Sequence, residues 1–249
     1  EVSASGLRNT NGATISAAKQ QQMAYALWNY GRSRNVNQQA AVMLYVHSLM
    51  GDGAPGEVDP TAVSRQTVSL FRQISRESAR FRGPYRVVTT VPSGLKVGTA
   101  ATATVRVLSA TGAAVPNVTL ELSSSDGSYG VPRRVTTGRS GTARVRFTPG
   151  SVAGFTMNVR TEQLASNTPR IFKATTAGAA RNGQRMAAAN SQRLSASIAA
   201  PVARGTMTVK TTASAPDLLL TEPSTDKVEI AGAPAPAGSI PAGPLSRNS

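Results

Sequence analysis

The sequence predicts an α+β, multidomain chain: a small N-terminal helical bundle at 1–83, an all-β sandwich at 84–204, and a terminal strand segment with an extended Pro/Ala/Gly-rich tail at 205–249. Three observations carry this. Apolar residues recur at helical spacing as far as Gly83-Pro84; beyond it Val and Thr alternate in short runs separated by turn residues; and after Ala231 Pro-Ala and Pro-Ala-Gly repeats replace both periods. A chain of 249 residues can hold one large or two modest domains, since typical domains run ~100 to 150 residues. Aromatic content is only 4%, so any core must be built mainly from Val, Leu, Ile, Ala and Met.

The first helix is expected at 16–30, where Met23, Leu27 and Tyr30 share a face and Gly31 stands where a left-handed stop would fall. The second opens near Asn35 or Asn37, aligns Val42, Tyr45, Val46 and Leu49, and closes at Gly51. For the third, Asp59 supplies a cap and Pro60 the first-turn position that needs no N–H, after which Val63, Thr67, Leu70 and Ile74 keep the period until Gly83-Pro84. Strands are expected at 85–91, 102–108, 118–122, 131–136, 142–148 and 155–161, with Val105 and Val107, or Val145 and Phe147, set against Arg106, Arg144 and Arg146. One face is apolar, the other basic. Short strands without intervening helices argue for an antiparallel sandwich. Leu194, Ala196 and Ile198 alternate within 191–199, which is read as a last sandwich strand after a loop around 177–183, in preference to a helix at 184–195.

Lys and Arg number 27 against 12 Asp and Glu, a net +15, and there is no Cys, which excludes a disulfide scaffold. A field of this sign favours polyanionic partners such as a cell-wall polymer, but specifies neither fold nor ligand. Arg133, Arg134, Arg139, Arg144 and Arg146 are the candidate polyanion-binding residues; no recognition helix or aromatic-interleaved platform accompanies them, which argues against nucleic acid. No run reaches the ~18 apolar residues that span a bilayer, and no leader pattern follows Glu1, so no membrane span is expected; earlier removal of a leader or anchor stays open.

The run Val97-Gly98, Thr104-Val105-Arg106-Val107, Ala110-Thr111-Gly112, Val115-Pro116-Asn117-Val118, Thr137-Gly138, Gly141-Thr142-Ala143-Arg144-Val145 and Phe147-Thr148-Pro149 resembles a bacterial immunoglobulin-like domain of the invasin type across about 85–175. More loosely, Ala24 to Gly31 and Ala40 to Ser48 resemble the helical portion preceding such sandwiches in secreted cell-wall surface proteins of actinobacteria. The resemblance implies an immunoglobulin-like sandwich and a secreted or cell-surface setting. Relatives of this kind often add a prealbumin-like domain; Thr206 to Thr211 resembles its first strand, but the continuation is missing. Some carry a thioester-forming Cys, a route excluded here because the chain has none.

Catalytic and metal chemistry find little support. His47 is the sole imidazole and reads as a packed or hydrogen-bonded histidine within the second helix. Asp52, Glu57 and Asp59 lack the spacing of a calcium loop and read as a turn and a helix cap. Glu57 and Glu77 supply carboxylates of the type that glycoside hydrolysis needs, but nothing fixes their separation, and Glu77 between Arg76 and Arg80 reads as a solvated helix position. Trp28, Tyr30 and Tyr45 have the faces to stack on a sugar or base, yet helical spacing favours core positions. Lys96, Lys173, Asn117, Asn158, Glu121 and Glu162 are the residue types of intramolecular isopeptide bonds, with adjacency unknown; the Asn117-Val118-Thr119 sequon reads as a strand entrance.

The expectation is therefore a non-enzymatic extracellular protein with a structural or adhesive role at the cell wall, no cofactor and no metal site, whose partners are a cell-wall polymer or surface protein. An alternative is a self-assembling subunit, a homo-polymer in which Met207, Val209, Val228 and Ile230 mark strands added to a neighbour's sheet. The alternative of another class is a basic polyanion-binding module.

Overall fold

In the computed structural model, residues 7–9, 12–51, 63–124, 128–172, 186–204, 206–208 and 227–229 are described. The fold is mixed α+β with mostly β content. Three helices come first: α1 (Ala17–Tyr30), α2 (Val36–Met50) and α3 (Arg65–Phe81). Each starts on a side chain that accepts a backbone N–H of its own first turn, Ser16 from Lys19, Asn35 from Gln38 and Ser64 from Thr67. Met23, Ala26, Ala41, Val42, Tyr45, Leu49 and Ile74 form the core of this part, joined by Leu7 and Ile15 ahead of α1.

Two expectations about the helices are corrected. Gly31 is right-handed (φ −70°), not left-handed; its N–H closes on the Leu27 carbonyl at 3.1 Å. Glycine is needed there for close approach, because a Cβ would lie 2.6 Å from the Leu27 oxygen. The third helix starts at Arg65, later than the Asp59-Pro60 signal, and Val63 is a bend. Ser64 takes over as cap because its hydroxyl also donates to Asn37 Oδ1 at 2.8 Å, tying the entry of α3 to α2. Asp52, Glu57, Asp59 and Pro60 lie outside the described residues.

The strands follow as β1 (Arg86–Thr90), β2 (Leu95–Lys96), β3 (Ala101–Leu108), β4 (Thr119–Ser124), β5 (Arg134–Thr136), β6 (Thr142–Phe147) and β7 (Phe155–Thr161). Then come β8 (Leu164–Ala165), β9 (Arg170–Phe172), β10 (Met186–Ala188), β11 (Ser191–Gln192), β12 (Ser195–Ala200), β13 (Val202–Ala203), β14 (Thr206–Thr208) and β15 (Lys227–Glu229). Two larger sheets have the orders β1-β3-β6 and β12-β7-β4-β5. Alternation sends Val105 and Val107, Val145 and Phe147, Leu120 and Leu122, and Met157 and Val159 into one shared core, where the Phe147 and Phe155 rings stack 3.9 Å apart.

Strand limits depart from the sequence expectation where a side chain or proline intercepts the backbone. The fifth strand begins at Arg134, after Pro132, which has no N–H to offer a ladder. Val118 stays outside β4 because its N–H donates to Thr137 Oγ1 at 2.9 Å. The last sandwich strand is split: β11 pairs with β8, then Leu194 donates its N–H to Thr161 Oγ1 at 2.9 Å, and β12 pairs with β7. Met186–Ala188 is a strand pairing with β9, so the helical alternative for this stretch falls away. The pairing is antiparallel except between β2 and β13, which run parallel.

Packing continues across Gly83-Pro84. Tyr25 of α1 and Phe81 of α3 sit in the core of the two sheets, with ring centroids 6.2 Å apart. The last carbonyls of α3 are met by the turn after β3: Ser109 Oγ and Thr111 Oγ1 donate to the Arg80 carbonyl at 2.9 and 2.7 Å, and Ala110 N–H to that of Arg82 at 3.0 Å. In return, Ile171 of β9 is buried in the helical core.

Candidate binding surfaces

The structure separates the five arginines grouped in sequence. Arg134, on β5, is held by Glu162 and lies 3.9 Å from Glu121. Arg133 precedes it, and Arg139 is in the turn before β6. Arg144 and Arg146 are on β6, exposed on the outer face of the three-stranded sheet because Ala143, Val145 and Phe147 point into the core. Register adds two arginines that sequence reasoning did not group with them. Arg106 on β3 is opposite Thr142 and Val88, while Arg144 and Arg146 face Thr104 and Thr102. Arg86 enters the same face at the start of β1.

Each arginine therefore has an uncharged residue directly across the ladder; Arg106 has Arg86 and Arg144 on its diagonals, ~7–8 Å away, and Arg146 follows Arg144 two residues along β6. Like charges directly opposite would destabilise the sheet; the stagger avoids this while keeping the charges together. The strands β1, β3 and β6 contain no Asp or Glu, and the four arginines have no carboxylate partner among the described residues. The alternation Val105-Arg106-Val107 was visible in the sequence, but only the register places Arg106 and Arg86 beside Arg144.

A second site is a cleft of about 390 Å³ where the helices meet the end of the sandwich. Tyr25, Trp28 and Tyr30 enter from α1, Glu77 from α3, and Tyr85 from the connection to β1; Asn117 and Glu162 face them from the turns beside β4 and β7. Glu77 is not on a solvated helix face, as its flanking arginines suggested. It shares the face of Ile74 and Phe81, is partly buried, accepts the Tyr30 hydroxyl on Oε2, and accepts Gln73 Nε2 on Oε1 at 3.0 Å. Burial pushes the Tyr30 hydroxyl well above the ordinary tyrosine range, with the Glu77 hydrogen bond adding to it. Burial does the same to Tyr25, reinforced by Tyr30 and Glu77, and to Tyr85. All three phenols are therefore neutral donors. The Arg32 guanidinium lies 4.6 Å over the Trp28 ring.

The remaining candidates separate. Tyr45 is in the helical core, as helical spacing implied, whereas Trp28 and Tyr30 are half-buried on the cleft. His47 is exposed on α2 beside Met43 and Met186 rather than packed inside, since Val42, Tyr45 and Leu49 take the inward positions. No group of three metal-ligating side chains occurs among the described residues. Lys96 is exposed on β2 with no amide or acid partner among the described residues, and Lys173 lies outside them. Asn117 is a strand-entrance turn residue with φ +58°. Met207 is opposite Val228 in the antiparallel pair β14–β15, and Val209 and Ile230 lie outside the described residues.

No family model matches the chain, and no curated protein matches it. Among solved structures, it is similar to the thioester domain of the Enterococcus faecium TIE86 protein at 10% identity, covering 78% of this chain and 77% of that one with a TM-score of 0.33. That is below the level of a shared fold.

Proposed function

We propose that this is a non-enzymatic extracellular surface protein with a structural or adhesive role at the cell wall, built on an immunoglobulin-like sandwich, which holds an anionic wall polymer against its three-stranded sheet. The sandwich reading is supported by the facing β1-β3-β6 and β12-β7-β4-β5 sheets, with β2 leaving the first to pair with β13. The surface setting is supported by the sequence resemblance. No helix among the described residues is long and apolar enough to cross a membrane.

The observation that carries the adhesive role is the acid-free face of Arg86, Arg106, Arg144 and Arg146. Four guanidiniums without a carboxylate partner among the described residues repel one another, and a polyanion relieves that repulsion while releasing its own counterions. Arginine forks suit phosphate oxygens in pairs, and the threonines between them offer further hydroxyl donors.

The test is retention of the full chain on polyol-phosphate teichoic acid across a salt series. Affinity should fall steeply with salt, and R144E with R146E should reduce the log–log slope by about 2, roughly one unit per lost phosphate contact. R133E with R139E, which change no residue of β1, β3 or β6, should change it little. Salt-insensitive retention, or equal losses in both double variants, would overturn the assignment.

A further inference from the structure

We infer that the cleft between the helices and the sandwich is a binding site for a neutral saccharide, chemically distinct from the basic sheet face. The chain has five tyrosines and one tryptophan, and three of those tyrosines and the tryptophan border this cleft. Tyr25 and Tyr85 belong to the buried core of the sheets, and Trp28 and Tyr30 pack against it. Trp28 and Tyr30 are nonetheless only half-buried, and the Tyr30 hydroxyl donates to the Glu77 carboxylate. A pyranose has the complementary surface: an apolar C–H face that packs on aromatic rings, and a rim of hydroxyls that each donate and accept.

The polar groups are of the kind that reads such a rim. Glu77 and Glu162 supply carboxylate oxygens, and the side chains of Asn29, Asn117 and Gln163 each pair a carbonyl acceptor with an N–H donor. The volume falls within the ~300–1,000 Å³ of small-molecule sites, where a few placed polar groups among apolar walls set orientation. The site is also preorganised. Glu77 is fixed by Tyr30 and Gln73. Asn117 is held at its positive φ because its N–H donates to the Thr137 carbonyl at 2.9 Å, with Val118 N–H on Thr137 Oγ1 at the same distance.

Charge decides against the other ligand classes. The two carboxylates disfavour a polyanion. A cation would meet positive charge already in place, the Arg32 guanidinium over one face of Trp28 and Arg134 on Glu162, whereas a neutral sugar can use the remaining acceptor positions of the carboxylates.

Trp28 is the sole tryptophan, so its emission reports this cleft without labelling. The probe is the β-1,4-linked N-acetylglucosamine tetramer, titrated into the full chain, with tetramethylammonium chloride in a parallel titration. A saturable change in emission with the saccharide, unaffected by salt, is expected. E77Q should weaken it about tenfold, the worth of one hydrogen bond to a charged group. Q163A, at an exposed rim position, should weaken it several-fold with the circular dichroism spectrum unchanged. The R144E with R146E variant should bind the tetramer normally, which separates this site from the sheet face. No change in emission up to about 10 mM, a range that reaches affinities weaker than −4.1 kcal/mol, would overturn the inference. So would a response to tetramethylammonium alone, or binding that survives both E77Q and Q163A.

Discussion

Tyr25, Tyr30, Tyr45 and Tyr85 show how a chain poor in aromatic residues uses the few it has. Each buries a ring and retains one polar atom that must be satisfied: Tyr30 donates to Glu77, and Tyr45 to Gln22 Oε1 at 3.2 Å. Burial raises the ionisation of all four above the ordinary value of 10.0, with Tyr45 pushed up to about 12 and the other three further. The sign of the linkage follows. A tyrosine whose folded form holds its proton more tightly than the unfolded form contributes stability that is complete below the ordinary pKa and is lost as pH rises above it. In an alkaline titration followed by tyrosinate absorbance and circular dichroism together, these four should stay protonated past pH 10 and ionise with unfolding in one cooperative step. Y85F should flatten the loss of stability with pH. Free ionisation of all of them near pH 10 with the fold intact would contradict the burial argument.

At the scale of the element, the entry of α3 is the clearest case of competing local signals. Asp59-Pro60 has the residue types of a helix start, yet the helix begins after Ser64, whose hydroxyl is shared between Thr67 N–H, Thr67 Oγ1 and Asn37 Oδ1. S64A should cost about 1 kcal/mol in denaturant unfolding, the usual worth of a cap. N37A should cost a similar amount, and the double variant less than the sum, because both remove one network. A neutral S64A would return the cap to Asp59. The limits of sequence reading have the same physical origin. Asn35 and the alternation in β3 and β6 are local, and so were legible. The interception of Val118 by Thr137, the break of the last strand at Leu194 and the parallel pair β2–β13 depend on partners 19 to more than 100 residues away, and were not. The binding surfaces divide in the same way. Arg144 and Arg146 could be read from one strand, but Arg106 and Arg86 required the register of three. Trp28, Tyr30 and Glu77 were each noticed in sequence for their chemistry, while their meeting with Asn117 and Glu162 depended on how the helices dock.

For the whole molecule, that docking sets the scale of cooperativity. The change of period at Gly83-Pro84 is sharp in sequence, but the hydrophobic contacts cross it in both directions, Tyr25 and Phe81 packing with the sheets and Ile171 with the helices. The Arg80 and Arg82 carbonyls at the end of α3 find their donors in Ser109, Ala110 and Thr111. Separating the parts would expose these aromatic faces and leave the helix end to water, and truncating a buried Phe side chain alone typically costs ~3–5 kcal/mol. A set of three short helices lacks the internal hydrophobic area to absorb such a loss. The full chain should therefore melt in a single transition, with far-ultraviolet circular dichroism and Trp28 emission changing together. Residues 1–83 expressed alone should be largely unfolded, and 84–204 should be β-rich but melt at a lower temperature than the full chain. Two separate transitions in the full chain, with 84–204 melting at the temperature of one of them, would show instead that the period change divides two independent folding units.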